Sequence, residues 1–195
     1  VQKGYEVEII DAWLNELEVE EVYESIIKQK DELLFVGISS YMSNTKPTIE
    51  LIEKLKEYDS NIKIVCGGFG PTFYPHEYLL SKCDYIIRGE GEEAICELAD
   101  SISKNEEPTN IKNVGYKISD KIILNDIRTL KSNLDELPFP SRDTINVVLE
   151  KKSSVNMVTA RGCSGNCEFC SVISFFRLSN GKVWRTRSIK NIVDE

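Results

Sequence analysis

Strand-like and helix-like segments alternate along the first hundred residues, and this alternation constrains the fold most. The continuous apolar run Leu33-Leu34-Phe35-Val36-Gly37-Ile38 is typical of a strand with both faces covered. Shorter strands are predicted at Val7-Glu8-Ile9-Ile10, at 62–66 and at 84–87, and residues 19–27 have apolar positions at helical spacing. The sequence therefore predicts an α/β fold with a doubly wound parallel sheet.

Two further helices and a hairpin complete the predicted elements of this region. Pro47 is expected to open a helix that runs to Tyr58, and residues 94–102 repeat apolar side chains at helical spacing. Residues 113–118 and 121–124 indicate a small hairpin that turns between them.

Small residues follow three of the predicted strands. Parallel strands joined by right-handed crossovers place such turns at one carboxyl edge of the sheet, where ligands of doubly wound folds bind. Small residues let backbone N–H groups approach a phosphate or a flat ring, although a glycine after a strand can also serve only a tight turn. The residues predicted to bind a nucleotide-like cofactor are Ser39, Ser40, Gly67, Gly68, Gly89, Glu90 and Gly91.

Three cysteines, Cys163, Cys167 and Cys170, form a CxxxCxxC run near the end of the chain. Three thiolates on one tight loop can hold three irons of a 4Fe–4S cluster and leave the fourth iron without a protein ligand. Structural zinc sites take four ligands, but the sequence has no second CxxC pair, and the only histidine, His76, lies far upstream. The spacing favours the three-ligand cluster, with a zinc site or a non-catalytic cysteine cluster as the alternative.

The other three cysteines are predicted to pack as small hydrophobic residues. Cys66 ends an apolar strand, Cys83 precedes the next strand, and Cys96 lies in a helical pattern. None of them is expected to bind a metal.

The stretch from Arg161 to Cys170 resembles the cluster loop of the radical S-adenosylmethionine (radical SAM) enzymes. The resemblance implies that the open iron binds S-adenosylmethionine, that Phe169 packs beside its adenine, and that Arg185 and Arg187 are candidate cations beside the cofactor. It also implies reductive cleavage of S-adenosylmethionine to start radical chemistry, a small-molecule substrate, and reduced ferredoxin or flavodoxin as the electron donor. No catalytic side chain can be assigned.

The segment from Gly4 to Glu92 resembles the cobalamin-binding domain that precedes many radical SAM cores. The ordered set of matching pieces carries this resemblance, and no single piece does. The resemblance implies a Rossmann or flavodoxin-like sheet with cobalamin as cofactor, the nucleotide tail of which lies in the crevice at the carboxyl edge. The matching pieces are Val36-Gly37-Ile38-Ser39, Gly67-Gly68, Pro71-Thr72, Asp84-Tyr85, Gly89-Glu90-Gly91-Glu92 and Leu134-Asp135-Glu136-Leu137-Pro138-Phe139-Pro140.

His76 is a candidate axial ligand for cobalt, because imidazole binds this metal well. Corrinoid proteins that supply a histidine use a DxHxxG loop after the first strand, whereas His76 follows a later strand. We therefore expect His76 to lie at the surface or at a helix cap.

The composition of the chain bears on membrane insertion, on nucleic-acid binding and on the cellular compartment. The chain has 195 residues, 41% of them hydrophobic, and no apolar run that could span a membrane. A formal charge of −8 without a basic stripe argues against nucleic-acid binding. Reduced thiolates for a cluster indicate a reducing compartment, so we expect a cytoplasmic, oxygen-sensitive protein that works anaerobically.

Three segments are expected: a cobalamin-binding-like domain at 1–104, a hairpin and linker at 105–152, and the start of a radical SAM (β/α) partial barrel at 153–195, with its first strand at Val155–Thr159. Relative to the family the chain looks truncated at both ends. Three hypotheses remain open. The chain is part of a cobalamin-dependent radical SAM enzyme for methyl transfer or cyclisation, a corrinoid-binding module without catalytic activity, or an iron–sulfur electron-transfer protein.

Overall fold

The computed structural model describes residues 4–195. Along the chain, the protein divides into two compact units between Arg128 and Thr129. The first unit contains a five-stranded sheet with its helices, and the second contains short helices and a two-stranded sheet.

The strands of the first unit lie in the sheet in the order of the sequence. They are β1 (Val36–Ser39), β2 (Ile64–Gly67), β3 (Tyr85–Ile87), β4 (Val114–Ile118) and β5 (Lys121–Leu124). The first three strands are parallel, while β4 is antiparallel to β3 and β5 is antiparallel to β4. The carboxyl ends of β1, β2 and β3 therefore lie side by side, as predicted.

Five helices belong to this unit: α1 (Val19–Ile27), α2 (Thr45–Tyr58), α3 (Phe69–Phe73), α4 (Pro75–Leu80) and α5 (Glu92–Ser103). All of the predicted helices are confirmed, and α3 and α4 are two short additional ones. The helix predicted from Pro47 starts two residues earlier, because proline is tolerated anywhere in the first turn. Among residues 4–195, none of the helices combines the length and the hydrophobicity that a membrane span requires.

Apolar side chains cover both faces of the sheet. Along β2, Ile64 and Cys66 pack into one layer and Val65 packs into the other, and all three are buried. The first layer includes buried residues of α1, α2 and α4, and the second includes Ala94 and Leu98 of α5. Helices therefore lie on both sides, which confirms the doubly wound α/β architecture.

The strand predicted at Val7–Ile10 is wrong. These residues have no regular secondary structure, and Val7 and Ile9 are exposed, whereas Ile10 packs against the core. A short apolar run becomes a strand only where a neighbouring strand supplies hydrogen bonds. Among the residues that the structure describes, β1 pairs with β2 alone.

The predicted hairpin is confirmed, and it extends the sheet. Strand β4 pairs with β3 so that Tyr116 lies opposite Tyr85, and β5 closes this side of the sheet. The turn between them places Ser119 at a positive φ of 53°. The compact first unit thus includes the hairpin.

The second unit contains α6 (Ile145–Glu150), β6 (Ala160–Arg161), α7 (Ser171–Arg177), β7 (Arg185–Thr186) and α8 (Ile189–Asp194). Strand β6 pairs antiparallel with β7. The strand predicted at 155–159 is wrong in position, because the pairing with β7 covers only residues 160 and 161 and extends by one bond to Thr159. Helix α8 begins after Ser188, the side chain of which accepts the N–H of Asn191 as an N-cap.

Candidate functional site

The loops after β1 and β2 contact each other through their backbones. Ser40 donates its N–H to the carbonyl of Gly67 at 2.8 Å, and Gly70 donates its N–H to the carbonyl of Ser40 at 2.9 Å. These two bonds join the predicted Ser and Gly turns into one surface at the carboxyl edge of the sheet.

Glycine is required at two positions of this edge. Gly68 has φ +98°, and a Cβ there would lie 2.6 Å from the carbonyl oxygen of Ser40. A Cβ on Gly70 would lie 2.2 Å from the hydroxyl of Tyr78. Gly68 therefore allows the loop after β2 to approach the loop after β1, and Gly70 leaves room for the Tyr78 hydroxyl of α4.

A group of hydroxyls lies beneath these loops. Ser40 is fully buried, and its Oγ lies 2.7 Å from the hydroxyl of Tyr78 and 3.1 Å from Oγ1 of Thr48. Ser40 also donates to Oδ1 of Asn44 at 3.0 Å, and the Tyr78 hydroxyl lies 3.0 Å from Oγ1 of Thr45. The Ser40 hydroxyl thus bonds within the protein, and the predicted contact of Ser40 with a cofactor remains a prediction.

Thr72 connects the loop after β3 to the loop after β2. Its Oγ1 accepts the N–H of Gly89 at 3.0 Å and donates to the carbonyl of Gly68 at 2.6 Å. Thr72 is 3% exposed, so these bonds are shielded from water. All three predicted loops are therefore brought together by hydrogen bonds.

Asn113 holds the loop after β3 from the other side. Its Nδ2 donates to the carbonyls of Arg88 and Glu90 at 2.7 and 3.0 Å. The Asn113 side chain is 1% exposed, and its φ of 72° lies in the left-handed region that asparagine tolerates. Sequence reasoning missed Asn113, because nothing local to it points to a loop more than twenty residues away.

The edge also presents aromatic surface. The ring of Tyr41, which follows Ser40, stacks on Phe69 with 5.7 Å between centroids and 13° between planes. Tyr41 is exposed and Ser39 is exposed beside it, while Gly67, Gly68, Glu90 and Gly91 are half-buried. Backbone amides next to flat apolar groups can accommodate a large, partly flat ligand.

A second depression, of about 400 Å³, lies near the opposite, amino edge of the parallel strands. Lys63, Cys83 and Asp84 are among its lining residues. The Asp84 carboxylate forms ion pairs with Lys56 at 2.7 Å and with Lys63 at 3.6 Å. The negative charge of Asp84 is therefore offset by lysines, and none of the predicted site residues lines this depression.

The cysteine run forms the loop between β6 and α7. Cys163 and Cys167 are exposed, and the half-buried Cys170 is the N-cap residue of α7. Gly165 donates its N–H to the sulfur of Cys163 at 3.3 Å. Gly162 has φ +80°, and a Cβ there would lie 1.9 Å from the carbonyl oxygen of Val183, so this turn also requires glycine.

The thiols are suitable cluster ligands by type, but they do not converge. No group of three His, Cys, Asp or Glu side chains within the described part of the chain is arranged to hold a metal ion. The donor set is nonetheless three accessible thiols on one glycine-containing loop, which suits an iron–sulfur cluster. Phe169, which lies between the second and third cysteines, is 93% exposed.

The guanidinium of Arg187 forms hydrogen bonds and an ion pair with other residues of the second unit. Its Nε donates to Oδ1 of Asn191 at 2.6 Å, its Nη1 donates to the carbonyl of Val158 at 3.0 Å, and it forms an ion pair with Glu195. Arg185 is 2% exposed and donates to the carbonyl of Lys131 at 2.9 Å. Both arginines therefore stabilise the fold around β7, and their roles beside a cofactor remain predictions.

The remaining candidates lie where the sequence predicted. His76 is exposed on α4, which agrees with a surface position. Cys66 and Cys83 are buried, and a hydrogen bond with Cys83 together with burial raises the pKa of the Cys66 thiol well above its ordinary value. A thiol in this environment is unreactive and acts as a packing residue.

Sequence comparison finds relatives that are longer than this chain. An uncharacterised methyltransferase of Pyrococcus horikoshii is 33% identical over 201 residues, covering 100% of this chain and 42% of the relative. An anaerobic magnesium-protoporphyrin IX monomethyl ester cyclase of Synechocystis is 26% identical over 208 residues, covering 98% of this chain and 38% of the relative. The chain thus spans about two fifths of the length of these curated relatives.

Solved structures share the fold. The cobalamin-dependent S-adenosylmethionine radical enzyme OxsB, with aqua-cobalamin and S-adenosylmethionine bound, matches with a TM-score of 0.80 and 21% identity over 97% of this chain and 26% of its own. The radical S-adenosylmethionine methyltransferase TsrM from Kitasatospora setae matches with a TM-score of 0.75 and 17% identity over 100% of this chain and 39% of its own. This chain therefore shares its fold with the matching parts of these two proteins.

The family model for the B12 binding domain matches residues 1–99, which is just over half of the 195 residues. This range contains β1, β2, β3 and the three loops that follow them. The chain therefore belongs to the B12 binding domain family.

Proposed function

We propose that this chain binds cobalamin at the carboxyl edge of its sheet, as the cofactor-binding part of a radical SAM enzyme. The observation that carries the proposal is the joining of three small-residue loops at this edge. Gly68 must lack a side chain for the first two loops to meet, and Thr72 bonds the second loop to the third. The match to the B12 binding domain family and the three joined loops at this edge support a corrinoid site there.

The cysteine loop extends the proposal to a second cofactor. Cys163, Cys167 and Cys170 would hold a 4Fe–4S cluster, and the bound cluster with S-adenosylmethionine would supply one-electron chemistry that starts a radical reaction. The Gly165 amide, which donates to the Cys163 sulfur, would stabilise negative charge on that sulfur. Phe169 is exposed and free to turn towards an adenine ring.

The class of reaction follows from the relatives. One of these relatives is named as a methyltransferase and the other as a cyclase. We therefore propose one of these two reactions on a small molecule, in the cytoplasm and without oxygen, with reduced ferredoxin or flavodoxin as electron donor. In this proposal residues 1–104 bind cobalamin and residues 153–195 begin the radical SAM core. Residues 105–152 form the hairpin and linker between these two parts.

Anaerobic reconstitution with iron and sulfide tests the cluster. We expect the broad visible absorbance of a 4Fe–4S centre, and we expect each of the substitutions Cys163→Ala, Cys167→Ala and Cys170→Ala to abolish it. Cys96→Ala is the matched control, because Cys96 is a half-buried free cysteine of the first unit. Absorbance that survives a change in the loop, or a single tetrahedral metal ion in its place, would refute the assignment.

One observation favours a second candidate function, a corrinoid-binding module without catalytic activity. The three thiols do not converge on a common point in the described structure. Titration with hydroxocobalamin separates the two functions. Binding that is equal in the wild type and in Cys163→Ala, with no cluster in either protein, would support the module.

A further inference from the structure

Arg88 places a cation at the carboxyl edge of the sheet. It directly follows the last residue of β3 and precedes the Gly89-Glu90-Gly91 loop. Its side chain is half-buried, and its Nε is buried without a hydrogen-bond partner. Within residues 4–195 no carboxylate forms an ion pair with it.

An arginine in this state is unusual. Buried charges are normally paired, because removal from water costs free energy that only a partner can offset. Burial lowers the pKa of Arg88 below its ordinary value, yet a guanidinium keeps its charge at neutral pH. The structure thus holds a partly desolvated positive charge whose protein partner is missing.

The Nε of Arg128, the other arginine of the first unit, is also buried without a hydrogen-bond partner, but the Nη atoms of Arg128 are ion-paired. Arg128 extends its Nη1 to Glu93 at 2.8 Å and its Nη2 to Glu97 at 2.6 Å, and both carboxylates lie on α5. Arg88 lies closer in sequence to Glu93 than Arg128 does, and it forms no such pair. Local availability of acidic residues therefore does not decide which arginine is ion-paired.

The backbone of Arg88 is fixed on three sides. Its N–H donates to the carbonyl of Asn113 at 2.9 Å, its carbonyl accepts Nδ2 of Asn113 at 2.7 Å, and the next N–H, of Gly89, donates to Thr72. The side chain therefore starts from a defined point on the edge. Such preorganisation reduces the entropy cost of binding a ligand.

From this geometry, and resting on the proposed cobalamin site, we infer that Arg88 binds the phosphodiester in the nucleotide tail of the corrinoid. The acidic side chains of the corrin ring are amidated in cobalamin, so the phosphodiester is the anionic group of its tail. A guanidinium forms paired hydrogen bonds to phosphate oxygens that an ammonium cannot reproduce. The residue thus selects corrinoids that carry the phosphate.

Three corrinoids separate the phosphate from the rest of the ligand. Hydroxocobalamin has the complete tail, cobinamide phosphate has the phosphate without the base, and cobinamide has neither. The affinities of the 195-residue chain for all three are measured by spectral titration, for the wild type and for Arg88→Met, Arg88→Lys and Arg128→Met. Circular dichroism of each variant reports folding.

We expect Arg88→Met to weaken binding of hydroxocobalamin and cobinamide phosphate by at least about tenfold, while cobinamide changes by less than about twofold. Arg88→Lys keeps the positive charge but lacks the paired N–H donors of a guanidinium. Its loss of affinity for the two phosphate-containing ligands should therefore be intermediate. Arg128→Met should leave the preference for phosphate unchanged, because Arg128 is ion-paired with Glu93 and Glu97 of α5.

Two results would overturn this inference. An unchanged ratio of cobalamin to cobinamide affinity in Arg88→Met would exclude recognition of the phosphate. An equal loss of all three ligands in both Arg88 variants would give Arg88 a purely structural role. A wild type that binds none of the three corrinoids would refute the proposed cobalamin site itself, which is a different result from either.

Discussion

The substitution Gly68→Ala should destabilise the first unit strongly. The φ of +98° at this residue, with ψ −164°, lies in a region that is essentially restricted to glycine, and an alanine there costs about 1–3 kcal/mol in backbone strain. The added Cβ would also lie 2.6 Å from the Ser40 carbonyl oxygen, which is backbone and cannot turn away. Relief of that overlap adds about 1–3 kcal/mol. We expect a total of about 2–6 kcal/mol.

Gly67→Ala is the matched control one residue away. A Cβ on Gly67 would have its nearest contact at 4.0 Å, and its φ is not positive. We expect this change to alter the free energy of unfolding by less than about 1 kcal/mol.

Urea denaturation followed by circular dichroism measures both effects. With a slope of about 1–3 kcal/mol per molar urea, Gly68→Ala should lower the midpoint by about 1 M or more. Hydrogen exchange of peptides from β1 and β2 assigns the loss to the first unit. Equal midpoints for the two variants would refute the close approach of the loops after β1 and β2.

Three further predictions concern the hydrogen bonds of single side chains. Tyr78→Phe removes the hydroxyl 2.7 Å from Ser40 Oγ and should cost about 1–2 kcal/mol in urea denaturation; no change would mean that the hydroxyl group does not contribute. Thr72→Val removes the acceptor of the Gly89 N–H and should cost about 1–3 kcal/mol, with faster amide exchange of that loop and not of α2. Hydrogen bonds from Ser188 hold the pKa of Asp135 below its ordinary value, so their stabilisation is complete above about pH 4 and is lost as the pH falls through the lower folded value. NMR titration of the Asp135 carboxyl should give a pKa below the ordinary value. An ordinary pKa would contradict the hydrogen bonds from Ser188.

The sequence predicted most of the first unit because its signals are local. Helix α2 and strand β2 are predictable from the spacing of their apolar residues. Ile52 and Leu55 of α2 and residues Ile64, Val65 and Cys66 of β2 are buried accordingly. The strand at Val7–Ile10 failed because its apolar alternation says nothing about whether a neighbour is available to pair with it. The strand near Thr159 was displaced for a similar reason, since its partner β7 lies 25 residues later and is only two residues long.

The candidate site was predictable only in outline. Strand ends and small residues placed Ser40 and Gly68 at one edge, but they could not show that the Ser40 hydroxyl is buried against Tyr78, 38 positions away. The sequence also could not show that the Arg88 guanidinium lacks an ion-pair partner among the described residues, because only the folded structure determines which charges meet. Long-range hydrogen bonds of this kind leave no periodic trace in sequence.

Hydrogen–deuterium exchange with and without hydroxocobalamin tests the central claim most directly. Cobalamin at the carboxyl edge should slow exchange in residues 39–41, 67–72 and 88–91, and should leave residues 61–63 and 82–84 at the amino edge unchanged. Binding without protection of these three loops, or protection confined to the amino edge, would contradict the proposed site.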